Sequence, residues 1–172
     1  MNVIFLDFDG VWRGTNAAQA LGGVADKQAI ALIDKLLETS QALGETKLVV
    51  SSTHRIGYCR EEMEKFLKDS GAKSFCKYLH NDWKTPVGQE HPFGRLKEIN
   101  SWLAAHEVDK FVIIDDDWHD TTDGSVLSIS RLVHVDSVNG FSFRDLARAI
   151  FILGLSIGSE LMEDFKNHGR NF

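Results

Sequence analysis

Cysteine and proline are scarce in this chain, with two of each among 172 residues. Cys59 and Cys76 show neither C-x-x-C spacing nor a nearby histidine cluster. That excludes a zinc ribbon and points to a reducing compartment, with both thiols as small buried hydrophobes. Two prolines and 14 glycines exclude collagenous and low-complexity classes. A positive surplus is missing too: 19 Lys and Arg against 25 Asp and Glu give a formal net charge of −6. Such a chain does not coat nucleic acid or an anionic membrane by bulk electrostatics, although a local basic patch remains compatible with it. The longest apolar run, around Ile150 to Leu155, falls far short of the ~20 residues of a membrane span. Met1-Asn2-Val3-Ile4-Phe5-Leu6-Asp7 has no basic segment ahead of its apolar residues, unlike a secretory signal. A cytoplasmic protein without a membrane partner is expected.

What is present suits one globular domain over residues 1–172, with 43% hydrophobic and 26% charged residues. At this length roughly 70% of the unfolded surface can be buried, so a single core needs no staple. Four apolar runs each end in polar residues: Val3 to Leu6, Lys47 to Val50, Phe111 to Ile114 and Leu132 to Val135. Unbroken runs of this length read as strands buried on both faces. Between them lie helical spacings: Ala29, Leu32, Ile33, Leu36 and Leu37 after an N-cap at Asp26, then Leu96, Ile99, Trp102 and Leu103. Further helices fit Arg60 to Lys68 and Phe143 to Leu153, the latter capped by Ser142. A weaker strand is expected at Phe75 to Leu79, with irregular chain at Arg13 to Val24 and Asn81 to Gly94. The alternation predicts a three-layer α/β/α Rossmann-like parallel sheet. Its core covers about residues 2–153, followed by a helical tail over 154–172.

Right-handed crossovers bring the polar strand ends to one rim of such a sheet. Asp7-Phe8-Asp9-Gly10-Val11 ends the first strand and Asp115-Asp116-Asp117 ends a second buried strand, with Asp120 four residues after Asp116. Carboxylates crowded at one rim repel each other, and a cation relieves the repulsion. An all-Asp oxygen set without His or Cys suits a hard ion, and Mg²⁺ fits best because it uses one or two carboxylates plus substrate phosphate. At a third strand end, Ser51-Ser52-Thr53 offers hydroxyls and, if a helix starts there, backbone N–H groups for phosphate oxygens. Arg55 lies one turn further on.

These residues resemble the haloacid dehalogenase-like (HAD) superfamily over about residues 2–153. Its first motif, D-x-D-G-[TV], matches Asp7-Phe8-Asp9-Gly10-Val11. The second matches Leu48-Val49-Val50-Ser51, and the fourth matches Ile114-Asp115-Asp116 with Asp120. Within the superfamily the chain is similar to the HAD domains of Swiss Army Knife RNA repair proteins. That likeness runs through Ser51-Ser52-Thr53-His54-Arg55, Arg95-x-x-Glu98-Ile99-x-x-Trp102-Leu103 and Asn139-Gly140-Phe141-Ser142, with His54 standing where that pattern usually has Trp. The resemblance implies Asp7 as a nucleophile that takes the phosphoryl group, and Asp9 as general acid and then base. It implies Mg²⁺ held by the Asp7 carboxylate, the Asp9 backbone carbonyl and Asp116, with Asp115 or Asp120 in support. Phosphate would be bound by Ser51, Ser52, Arg55 and Arg95. Arg95 fits the third motif, with Lys97 and Lys84 as rivals.

Between Asp7 and Ser51, and again between Ser51 and Arg95, the chain is too short for much of a cap. A minimal cap favours a macromolecular phosphate, such as an RNA or DNA end. The mildly basic stretch from Lys47 to Lys97 could line a backbone path through Arg55, Arg60 and Lys84, with Trp12, His54, Trp83 and Trp118 as stacking surfaces. Two other readings stay open at this point: a small-molecule phosphatase such as a nucleotidase, and a non-catalytic binding module on the same fold. Oligomeric state is not legible.

Overall fold

The computed structural model describes residues 1–13, 25–88, 94–117, 121 and 126–155. Five parallel strands form one sheet: β1 (Asn2–Leu6), β2 (Thr46–Val50), β3 (Leu79–Lys84), β4 (Lys110–Asp115) and β5 (Leu132–His134). Their order is β3-β2-β1-β4-β5, with Ile4 opposite both Leu48 and Val112. Successive side chains point to opposite faces of a strand, and here both faces are covered.

On one face Ile4, Leu6, Leu48, Val50, Val112, Ile114 and Val133 pack against α1 (Lys27–Leu43), α2 (Arg60–Asp69) and α5 (Phe143–Ile152). On the other, Val3, Phe5, Val49, Ile113 and Leu132 meet Ile99 and Trp102 of α3 (Gly94–Ala104). The result is the expected α/β/α sandwich. A short α4 (Val126–Arg131) packs against β4, so every described α-helix lies against the sheet and none builds a separate cap. Among the described residues, no helix is long and apolar enough to cross a membrane.

Local chemistry sets the helix starts. The Asp26 carboxylate accepts from the backbone N–H groups of Gln28 and Ala29, at 2.9 and 3.1 Å. Ser142 and Asp145 form a capping box ahead of α5. Caps of this kind contribute about 0.5–2 kcal/mol each.

The third strand departs from expectation. Lys73–Lys77 is a 3-10 turn, and β3 runs from Leu79 through the polar residues Asn81 and Asp82. β3 is an edge of the sheet with only Leu79 and Trp83 buried among its six residues, so it lacks the apolar run of a central strand. The Asn81–Gly94 stretch is therefore strand as far as Lys84. Cys59 is exposed and Cys76 only partly buried, both free thiols, so neither is the fully buried hydrophobe expected. The Arg13 to Val24 stretch beyond Arg13, the tail beyond Leu155, Trp118 and Asp120 lie outside the described residues.

β1 sits at the topological switch point. The chain builds outward from it through β2 and β3, then returns to its other side for β4 and β5. Crossovers on opposite faces diverge there and open a crevice at the carboxyl end of β1, where open α/β sheets bind ligands.

Candidate active site

Asp7 follows β1 directly and extends its pairing, donating its backbone N–H to the Ile114 carbonyl at 3.0 Å. Phe8 then turns into the core, with its ring 5.0 Å from that of Trp12. Phe8 is fully buried and Asp9 exposed. The turn closes through the Trp12 and Arg13 N–H groups on the Phe8 carbonyl. Gly10 makes the turn possible: its φ is +72°, and a Cβ there would lie 2.2 Å from Asp116 Oδ2. Gly10→Ala is expected to displace Asp116, lower stability by about 1–3 kcal/mol and weaken divalent-cation binding. Thermal melts with and without Mg²⁺ check both effects.

Asp7, Asp115 and Asp116 each offer an oxygen within 4.8 Å of the others. Asp115 is fully buried; its Oδ2 accepts from Arg95 Nη1 at 2.5 Å and its Oδ1 from the Asp117 N–H at 2.9 Å. The same Arg95 Nη1 lies 3.1 Å from Asp7 Oδ1. Arg95 thus bridges the two most buried carboxylates. Burial raises the pKa of all three acids, and Arg95 opposes the rise at each. For Asp115 burial dominates and pushes the pKa up to about 7.

That shift carries a stability consequence. An unfolded Asp titrates near 3.9, so the folded metal-free protein holds the Asp115 proton more tightly than the unfolded chain does. Ionising Asp115 costs stability progressively as pH rises between those values, and the cost is complete above about 7. Asp115→Asn is therefore expected to raise the melting temperature of the metal-free protein at pH 8 and to change it little at pH 4. Paired melts at the two pH values test this.

The second strand end behaves differently from its expected reading. Ser51 and Ser52 are buried at the rim, and the Ser51 N–H donates to the Leu6 carbonyl. Ser51 Oγ has no hydrogen-bond partner among the described residues. The Ser52 side chain works against the rise in the Asp7 pKa, and its hydroxyl accepts from the His54 N–H. The segment beyond is a single 3-10 turn, Thr53–Arg55, and not the start of a longer helix.

Arg55 corrects its expected role. It is 2% exposed, and its five N–H groups meet five acceptors: the Ser51, Ser52, Thr85 and Pro86 carbonyls and the Glu98 carboxylate. No donor is left for phosphate, so Arg55 holds the rim loops together. Asp9 leaves the acid cluster and turns its carboxylate to His54, with Nε2 and Oδ2 3.0 Å apart.

A buried carboxylate at the switch point, an arginine bridge and a D-x-D turn are the geometry against which the comparisons stand. The family model described as the HAD domain in Swiss Army Knife RNA repair proteins matches residues 3–146. The chain belongs to this family. No curated protein and no solved structure matches it. Membership supports a HAD phosphohydrolase in general terms.

Of the three cations expected for the third motif in this HAD domain, Arg95 is the one that lies beside Asp7 and Asp115. Lys97 points outward on the exposed side of α3, and Lys84 Nζ donates to the Tyr58 carbonyl at 2.9 Å. The expected nucleic-acid path is also reduced. Trp12 and Trp83 are buried, and Arg60 is engaged with Glu64 and the His80 carbonyl. Only His54, of the described residues expected to stack, keeps a partly exposed ring, with its side chain 29% exposed. Two contacts escaped the sequence reading: Glu98, which also accepts from the Gly88 N–H at 2.8 Å, and the His54 ring beside Asp9. Glu98 was visible only as part of the Arg95-x-x-Glu98 pattern.

Proposed function

We propose that this HAD domain is a Mg²⁺-dependent phosphatase that passes a phosphoryl group through Asp7 to water, acting on a macromolecular phosphate such as a nucleic-acid end. The observation that carries the reading is Asp7 itself: a carboxylate at the switch point, steered by Arg95, with a second carboxylate two residues on. Arg95 holds an Asp7 oxygen in place before substrate arrives, which spares reorganisation during reaction. Asp7 attacks phosphorus, and Asp9 gives a proton to the leaving oxygen. Asp9 then takes a proton from the water that releases phosphate. Ser51, with its hydroxyl uncommitted among the described residues, binds the transferring group.

The oxygen-only donor set formed by Asp7, Asp115 and Asp116 fits a hard divalent ion. In this reading the Asp7 carboxylate, the Asp9 backbone carbonyl and Asp116 hold Mg²⁺. Asp115, whose two oxygens already accept from Arg95 and the Asp117 N–H, supports the ion's water ligands. The bound ion would shield phosphate charge from the approaching carboxylate. The macromolecular substrate is supported by membership in a family described from RNA repair proteins and by described helices that all lie against the sheet.

The test is phosphate release with Mg²⁺ from 3′- and 5′-phosphorylated oligonucleotides, free nucleotides and phosphopeptides, with Asp7→Asn as the blank. Release from oligonucleotides, lost in the variant, is expected. Release from free nucleotides alone would replace the substrate with a small metabolite, and no release from any of them would point to a non-catalytic module.

A further inference from the structure

The His54 ring has no part in the chemistry outlined above, yet it is the side chain best placed to control Asp9. It stands on the turn after β2 with its Nε2 3.0 Å from Asp9 Oδ2. The ring is anchored in an aromatic group: it stacks on Phe66 at 5.3 Å and lies 5.9 Å from Phe8, and those two stack on each other at 5.7 Å. Its backbone is tied as well, through the His54 N–H to Ser52 Oγ. Asp9 is the opposite case. Its side chain is 60% exposed, and an exposed carboxylate on a short stem samples several staggered rotamers. A hydrogen bond from a fixed ring selects one of them.

We propose that His54 is a positioning residue for Asp9: Nε2–H donates to Oδ2 and leaves Oδ1 as the oxygen that exchanges the proton. This rests on the phosphohydrolase reading and deepens it. In the first half-reaction an Asp7 oxygen bonds to phosphorus and the ester P–O bond breaks. The proton on Asp9 Oδ1 moves to the ester oxygen, which departs as an alcohol. In the second, a water oxygen bonds to phosphorus, the bond to Asp7 breaks, and Oδ1 takes the water's proton. One oxygen serves both transfers, so a ring that holds the other oxygen aligns both.

A polar contact this exposed adds little to folding stability, so variants are expected to fold. His54→Phe keeps a ring for Phe66 and Phe8 but removes the donor, whereas His54→Gln keeps a donor and removes the ring. The readout is kcat/KM on an alkyl phosphate, which needs the proton, and on an activated aryl phosphate, which does not. His54→Phe is expected to lose about 10- to 100-fold on the alkyl ester, a fraction of what a full general acid contributes, and less than about 3-fold on the aryl ester. His54→Gln should recover most of the loss. Equal losses on both esters would overturn the proposal and leave the phosphatase reading intact. A wild-type protein inactive on both esters and on phosphorylated oligonucleotides would remove that reading and this inference with it. A readout independent of turnover is the ¹⁵N resonance of His54 Nε2, expected to shift in Asp9→Asn; an unchanged resonance would deny the contact.

Discussion

Asp7→Asn is expected to abolish phosphate release, by about 10⁴-fold or more, the scale on which removal of a covalent nucleophile acts. The substitution keeps the shape of the side chain and removes its nucleophilic oxygen. The fold should survive it. Burial raises the Asp7 pKa in the folded protein, so its charged form is costly there, and a neutral amide relieves that cost. The melting temperature at pH 8 is therefore expected to stay level or rise while activity disappears. Activity that persists in Asp7→Asn would exclude Asp7 as the attacking group, and a collapsed melt would make its role structural.

Arg95→Ala carries the second large effect, and it acts on stability and activity together. Arg95 Nη1 is within 3.1 Å of Asp7 and 2.5 Å of Asp115, and the three side chains are 11% exposed or less. Removing the cation leaves two buried carboxylates unpaired, a loss of about 3–5 kcal/mol where both are ionised. Both pKa values should rise further, because Arg95 is the main influence holding each down. The loss is therefore largest at pH 8 and shrinks toward pH 4, where protonation removes the charges. Urea melts of the metal-free protein at both pH values measure this, with Lys97→Ala, on the exposed side of α3, as the neutral comparison. Arg95→Lys keeps the charge but not the planar fork, so it should recover stability better than turnover. An Arg95→Ala protein as stable as wild type at pH 8 would show that the bridge has no energetic role.

How much of this was legible depended on where the determining contacts lie along the chain. β1, β2 and β4 are buried on both faces, so three or four apolar residues in a row announced them, and Asp26 and Ser142 announced the helices they cap. β3 was misread because edge position, a property of the assembled sheet, gave it polar residues such as Asn81 and Asp82. The rim acids were legible because each follows a readable strand, and strand direction alone gathers them. Arg55 was not. Its burial depends on the Thr85 and Pro86 carbonyls and on Glu98, all at least 30 residues away, and nothing local distinguishes a phosphate arginine from a loop-binding one. Arg95 and Lys97 looked alike until α3 was placed on the sheet and only one of them faced Asp7. His54 reached Asp9 across 45 residues, through an aromatic group that no local pattern shows.

The central claim is a covalent step on Asp7, and trapping it is the most direct measurement. Asp9→Asn with an activated aryl phosphate and Mg²⁺ should load phosphoryl onto Asp7, since that leaving group needs no proton, and should then stall for want of a base. Acid quench followed by peptide mapping is expected to find one phosphoryl group on the peptide that carries Asp7, and none when Asp7 is also changed to Asn. Aryl phosphate turnover with no phosphoryl on the protein, or with phosphoryl on another residue, would contradict the account.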